Sequence, residues 1–98
     1  MIIPTHTIAV STMQGHFFFK PEEIVRLEAQ SNYTQIFLLN NKKILASKVL
    51  KDFVGSLEPF GFVRTHRSHL VNKNYITSVN HAGTIVMNDS STAAISRG

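Results

Sequence analysis

The segment from Ile24 to Leu38, IVRLEAQSNYTQIFL, decides how this chain folds. Ile24, Arg26 and Glu28 alternate with Val25, Leu27 and Ala29, the period-two pattern of a strand with one wet face. A polar break, Gln30-Ser31-Asn32, follows, and a second run rich in β-branched and aromatic residues starts at Tyr33. Two strands, over 24–29 and 33–39, joined by a tight turn are the expected unit.

The same unit recurs outward from this segment. Turn-forming residues come at short intervals: Pro4, Gln14-Gly15, Lys20-Pro21, Asn40-Asn41, Pro59-Phe60-Gly61, Asn72-Lys73-Asn74, His81-Ala82-Gly83 and Asn88-Asp89-Ser90. Between them, strands are expected over 7–10, 16–19, 43–46, 77–80, 84–87 and 93–96. Asn40-Asn41 suits a type I′ hairpin because Asn tolerates positive φ, and His81-Ala82-Gly83 makes a second hairpin. Glu22-Glu23 begin a turn after Pro21. Residues 47–57 break the pattern, since Leu50, Phe53, Val54 and Leu57 form a single stripe at helical spacing. Ser47 is placed to cap that helix, Pro59 and Gly61 to stop it, and Lys48, Lys51 and Asp52 to face solvent. The fold expected is mainly β, of short antiparallel strands with one short helix.

Composition bounds the function. Ninety-eight residues make a single domain over 1–98, and 43% apolar against 16% charged residues describe a folded chain. Ten Lys and Arg against six Asp and Glu give a formal charge of +4, which favours an anionic partner. Cysteine is absent, as suits a reducing cytoplasm. The opening MIIPTHTIAV lacks the pattern of a signal peptide, and no apolar run matches a membrane span. The expectation is a cytoplasmic domain, without membrane contact, cut from a larger protein.

The stretch from Phe62 to Asn72, FVRTHRSHLVN, concentrates the basic residues. His66 and His69 invite a metal reading, but a site needs three or four ligands and no acidic residue lies nearby in sequence. On one extended strand their odd spacing would also put the rings on opposite faces. No glycine-rich phosphate loop or nucleophile elbow occurs, so no catalytic residue, metal or cofactor is assigned. Binding remains. Arg67 has the planar fork that pairs with guanine O6 and N7, and Arg64 and Ser68 are placed to hold phosphates. A plain cationic face, with Arg64 paired to a carboxylate, fits the composition equally well.

Taken in order, IVRLEAQSNYTQIFL, SKVLKDFVGSLE, FVRTHRSHLVNKNYI and the closing AAISR resemble the LytTR family of bacterial DNA-binding domains, across Glu22 to Arg97. The first twenty residues carry nothing of the pattern. The resemblance implies an elongated arrangement of small antiparallel β-sheets with about ten strands. It implies sequence-specific binding of double-stranded DNA at promoter repeats by the output domain of a transcriptional regulator. Loops would reach successive major grooves from one side of the duplex. A receiver domain or membrane segments would accompany the domain in the whole protein, and a homodimer on DNA is compatible with it. Carried over by motif, the DNA-binding residues are Asn32 and Tyr33 in a first element, Arg64, His66, Arg67 and Ser68 in a second, and Ser96 and Arg97 in a third. Tyr33 has a competing reading as cover for the core, and His66 as a brace for its loop. Val71 and Asn72 are read as structural, and Phe17, Phe19, Phe37, Phe53, Phe60 and Phe62 as core. Two rivals remain: a small β-rich module binding a protein or ligand in a signalling protein, and an RNA-binding domain, for which an alternating aromatic stripe is missing.

Overall fold

The computed structural model describes residues 2–96. In chain order its elements are β1 (Ile8–Thr12), β2 (Gly15–Phe19), β3 (Ile24–Gln30), β4 (Tyr33–Leu38), β5 (Lys42–Ala46), α1 (Lys51–Leu57), β6 (Phe62–His66), β7 (His69–Asn72), β8 (Ile76–Val79), β9 (Thr84–Met87) and β10 (Thr92–Ala94). All strand pairs are antiparallel and form three sheets, β1-β2, β5-β4-β3-β7-β6 and β10-β9-β8. The molecule is elongated, 47 × 25 × 24 Å. Among the described residues, no helix is long and apolar enough to cross a membrane.

The central sheet is covered on both faces, and β3 shows how. A bulge between Ile24 and Arg26 lets Ile24 and Leu27 share one face while Val25 and Arg26 go to the other. The first face meets β1-β2 and α1 through Val10, Ile36, Leu50, Phe53, Leu57 and Leu70. The second meets β8-β10 through Val25, Val71, Ile85, Met87 and Ala93. The wet face expected for Arg26 therefore does not exist. Arg26 is 4% exposed, with its guanidinium 3.7 Å above the Phe37 ring.

Other expectations shift locally. Asn40 (φ 68°) and Asn41 (φ 60°) both take the left-handed conformation a type I′ turn requires. Pro21–Glu23 form a 3₁₀ turn, tied by the Lys20 N–H donating to the Glu23 carboxylate at 2.9 Å. The helix begins only at Lys51, and Ser47 does not cap it. Leu50 is the N-cap, and the Ser47 N–H instead donates to the Ser11 carbonyl at 2.8 Å. Asn72 is structural as read, its amide donating to the Ile24 carbonyl and accepting from the Asn74 N–H. Phe53 and Phe62 are buried and Phe19 and Phe37 pack against the clusters. Phe17 and Phe60 are not core, being 37% and 50% exposed. The strand placed at 93–96 runs instead from Thr92 to Ala94, and the one placed at 77–80 from Ile76 to Val79.

Phe53 and Leu50 attach α1 to the first face, so Phe53→Ala is expected to cost about 3–5 kcal/mol and Leu50→Ala about 2–5 kcal/mol. Urea unfolding of the two variants beside wild type measures both, and a cost under about 1 kcal/mol at either position would contradict its burial.

Candidate nucleic-acid interface

The FVRTHRSHLVN stretch is not one strand but a hairpin. β6 and β7 pair with His66 opposite His69, leaving Arg67-Ser68 as a two-residue turn. Folding back at that point places both imidazoles on the same face, their ring centres 5.5 Å apart, and overturns the opposite-face expectation. Neither Arg67 nor Ser68 takes a positive φ, although two-residue hairpin turns favour the primed types that need one. A bulge between Arg64 and His66 accommodates the mismatch. Side chains then hold the turn. The Ser68 N–H donates to His66 Nδ1 at 3.0 Å, and Arg64 Nη2 donates to the Arg67 carbonyl at 2.7 Å. The Ala29 N–H donates to the Ser68 carbonyl at 2.9 Å, docking the turn on the end of β3.

That last bond fixes the larger geometry. β7 runs antiparallel to β3, so the β6–β7 turn and the β3–β4 turn emerge side by side at one end of the central sheet. In the β3–β4 turn Ser31 takes φ 52°, Asn32 is exposed, and Tyr33 is 41% exposed rather than covering the core. On the outer side of β6, the Ser96 N–H donates to the Thr65 carbonyl at 2.7 Å and Thr65 Oγ1 to the Ala94 carbonyl at 2.9 Å. Asn32, Tyr33, Arg67, Ser68 and Ser96 thus lie in one row across the end of the sheet. Arg97 lies outside the described residues.

Beneath the row is a polar cluster that sequence reasoning missed. Arg26 Nη1 donates to Glu28 Oε1 at 2.7 Å and Arg26 Nε to Ser91 Oγ at 2.8 Å. His69 Nδ1 lies 3.8 Å from the same Glu28 oxygen, buried and without a hydrogen-bond partner. Burial lowers the His69 pKa from its ordinary 6.5; Glu28 opposes the shift, while Arg26 and His66 reinforce it. His69 is therefore a neutral imidazole at pH 7 and its contact with Glu28 is not an ion pair. The signal in the sequence was the Arg-x-Glu spacing of Arg26 and Glu28, which places both on one side of a strand. Among the described residues no three His, Asp or Glu side chains gather as a metal site would need. A cleft of about 500 Å³ between the β1–β2 turn and β5 reaches Tyr33 but not the β6–β7 turn.

A profile of the LytTr DNA-binding domain matches residues 14–98. The chain belongs to the LytTr DNA-binding domain family. Its fold agrees with a solved LytTr DNA-binding domain assigned to a methyl-accepting/DNA response regulator from Bacillus cereus, at TM-score 0.77 and 22% identity, covering 95% of this chain and 88% of that one. No curated protein matches the sequence. This LytTr domain is thus a mainly β DNA-binding domain.

His69 makes stability pH-dependent. Above its ordinary value of 6.5 the imidazole is neutral whether the chain is folded or not. As pH falls below that value the unfolded chain takes up the proton first, so stability declines until the folded form is protonated too. The melting temperature is expected to fall between about pH 7.5 and about pH 5, with a shallower slope in His69→Gln. Thermal melts of both proteins across that range check it, and an unchanged slope in the variant would place the proton elsewhere.

Proposed function

We propose that this LytTr domain reads double-stranded DNA sequence-specifically with the row of side chains across the end of its central sheet, as the output domain of a bacterial transcriptional regulator without chemistry of its own. The observation that carries the reading is the β3–β7 pairing, which sets the two turns side by side with Arg67 exposed at the tip of one and Asn32 at the tip of the other. Arg67 takes the guanine-reading role, its fork matching O6 and N7, and Asn32 suits adenine. Tyr33, Ser68 and Ser96 serve phosphates, and Arg97, carried over by the motif it shares with Ser96, is assigned to the same contact. At about 4.8 Å per strand, the row from the β3–β4 turn to Ser96 spans roughly 15–20 Å of backbone. That is wide enough to bridge a minor groove of about 6 Å and bring the two ends to the major grooves on either side. Attachment to a receiver or membrane domain, and dimerisation on promoter repeats, fit the same arrangement in a cytoplasmic regulator.

Arg64 carries a double role. It adds charge for phosphate, and it holds the Arg67 carbonyl, so Arg64→Ala is expected to weaken both cognate and scrambled duplexes, the cognate one more. Arg67→Ala is expected to cost about 1–3 kcal/mol on the cognate site and to relax preference at one base pair. Arg67→Lys keeps the charge without the fork and should restore scrambled-site binding better than cognate binding. Titrations on both duplexes at several salt concentrations test the reading, with each neutralised phosphate adding about 0.9 to the salt slope. Equal losses for Arg67→Ala on both duplexes would reduce Arg67 to an electrostatic contact. Affinity indifferent to salt would favour a protein-binding module.

A further inference from the structure

We infer that His66 is a positioning residue, not a DNA contact: its unprotonated Nδ1 holds Arg67 in the geometry that discriminates bases, and protonation of His66 releases it. The inference rests on the reading of Arg67 given above.

The β6–β7 turn has little intrinsic preference for its shape. It has two residues, neither at positive φ, and no Gly, Asn or Asp to favour a reversal. Its order comes from three hydrogen bonds, and each has a different source. Ala29 of β3 holds the Ser68 carbonyl, Arg64 of β6 holds the Arg67 carbonyl, and His66 Nδ1 accepts from the Ser68 N–H. The Arg67 side chain is exposed, so this backbone sets the Cα–Cβ direction in which it leaves the turn.

Of the three, only the His66 bond depends on a titratable acceptor. Nδ1 accepts only when bare, which fixes the proton on Nε2 in the neutral ring. Adding a proton to Nδ1 sets two N–H donors against each other, so the turn must open or the ring must swing away. The charged and titratable groups around the ring lie on β3, β6, β7 and the turn itself. His69 of β7 stands ring to ring with His66 at 5.5 Å, and burial keeps it neutral at pH 7. Glu28 of β3, the nearest carboxylate to this pair, is engaged by Arg26 at 2.7 Å. Arg64 of β6 and Arg67 of the turn add positive charge, and β10 has no titratable side chain. The ring is half-buried between these elements, so it faces the hairpin it braces more than a duplex beyond it.

The test has two parts, both on the 98-residue chain. Without DNA, ¹⁵N chemical shifts of the histidine rings should show His66 as the Nε2–H tautomer at about pH 8, and the Ser68 amide resonance should move with the His66 titration. A His66 ring protonated on Nδ1 at that pH, or a Ser68 amide indifferent to the titration, overturns the inference by itself, whatever the DNA result. With DNA, the readout is the ratio of cognate to scrambled affinity, in which general charging at low pH largely cancels. For wild type it should fall roughly tenfold or more between about pH 8 and about pH 5.5, the discrimination one bidentate arginine supplies. His66→Asn carries its carbonyl oxygen at the same remove from Cβ as Nδ1 and cannot titrate, so it should keep a high ratio across the range. His66→Gln carries its amide one bond further out and should lose the ratio at every pH. A His66→Asn protein with the wild-type pH step, or a His66→Gln protein with wild-type discrimination, overturns the inference. A wild-type ratio near one at every pH, with the ring and amide shifts as expected, instead removes the DNA-reading turn itself, and the role assigned to His66 with it.

Discussion

Among the described residues a single cation, Arg26, is buried, and it ties this domain together. Removing a guanidinium from water costs several kcal/mol unless its donors are satisfied. Here Glu28 and Ser91 accept from it and the Phe37 ring lies beneath it. Those partners belong to β3, to the β9–β10 turn and to β4, so satisfying the charge fixes the three-stranded sheet against the central one. The bulge at Val25 is what makes this possible. Without the extra residue, Arg26 would share a face with Ile24 and be driven into the apolar cluster beneath α1.

The same group organises the end of the sheet. Glu28, held by Arg26, stands opposite His69, and His69 stands opposite His66, whose ring closes the turn that carries Arg67. Each step is a cross-strand neighbour on one face, so the path from the core to the exposed arginine needs no flexible segment. A loop that must be ordered on binding spends part of its interaction energy on that ordering. A two-residue turn held at both carbonyls and at the Ser68 N–H has much less freedom left to lose.

Local patterns made most of the β elements legible and little of this network. Asn40-Asn41 and the period-two runs of β4 and β9 identify themselves, because turn chemistry and alternation are properties of adjacent residues. The stripe of Leu50, Phe53 and Leu57 located the helix, but it starts at Lys51, four residues past Ser47, whose backbone N–H pairs with the Ser11 carbonyl, a partner far away in sequence. The β6–β7 hairpin was opaque for a related reason. Arg67-Ser68 carries no reversal signal of its own, and what bends it is an imidazole acceptor and an arginine donor that meet the turn only once it has formed. Arg26 looked solvated because alternation places it beside Glu28, and a bulge is invisible to a period-two count. The site residues came from the motif resemblance; their alignment in one row required the β3–β7 pairing, which no local pattern specifies.

Charge follows the same division of the molecule. The antiparallel topology puts Glu22, Glu23 and Glu58 at the end opposite the row, and Asp89 lines a recess there with Lys42 and Lys43. Lys20 and Lys73 share that end, so its four acidic and four basic side chains cancel. Arg26 and Glu28 cancel internally, and α1 with its leading segment, bearing Lys48, Lys51 and Asp52, keeps a single surplus charge. What remains of the formal +4 is Arg64 and Arg67, both on the β6–β7 hairpin, and Arg97, outside the described residues. A modest net charge therefore becomes a local field, which is the quantity that steers a polyanion. Because the far end is neutral, a duplex approaching the domain is drawn to one orientation before contact is made.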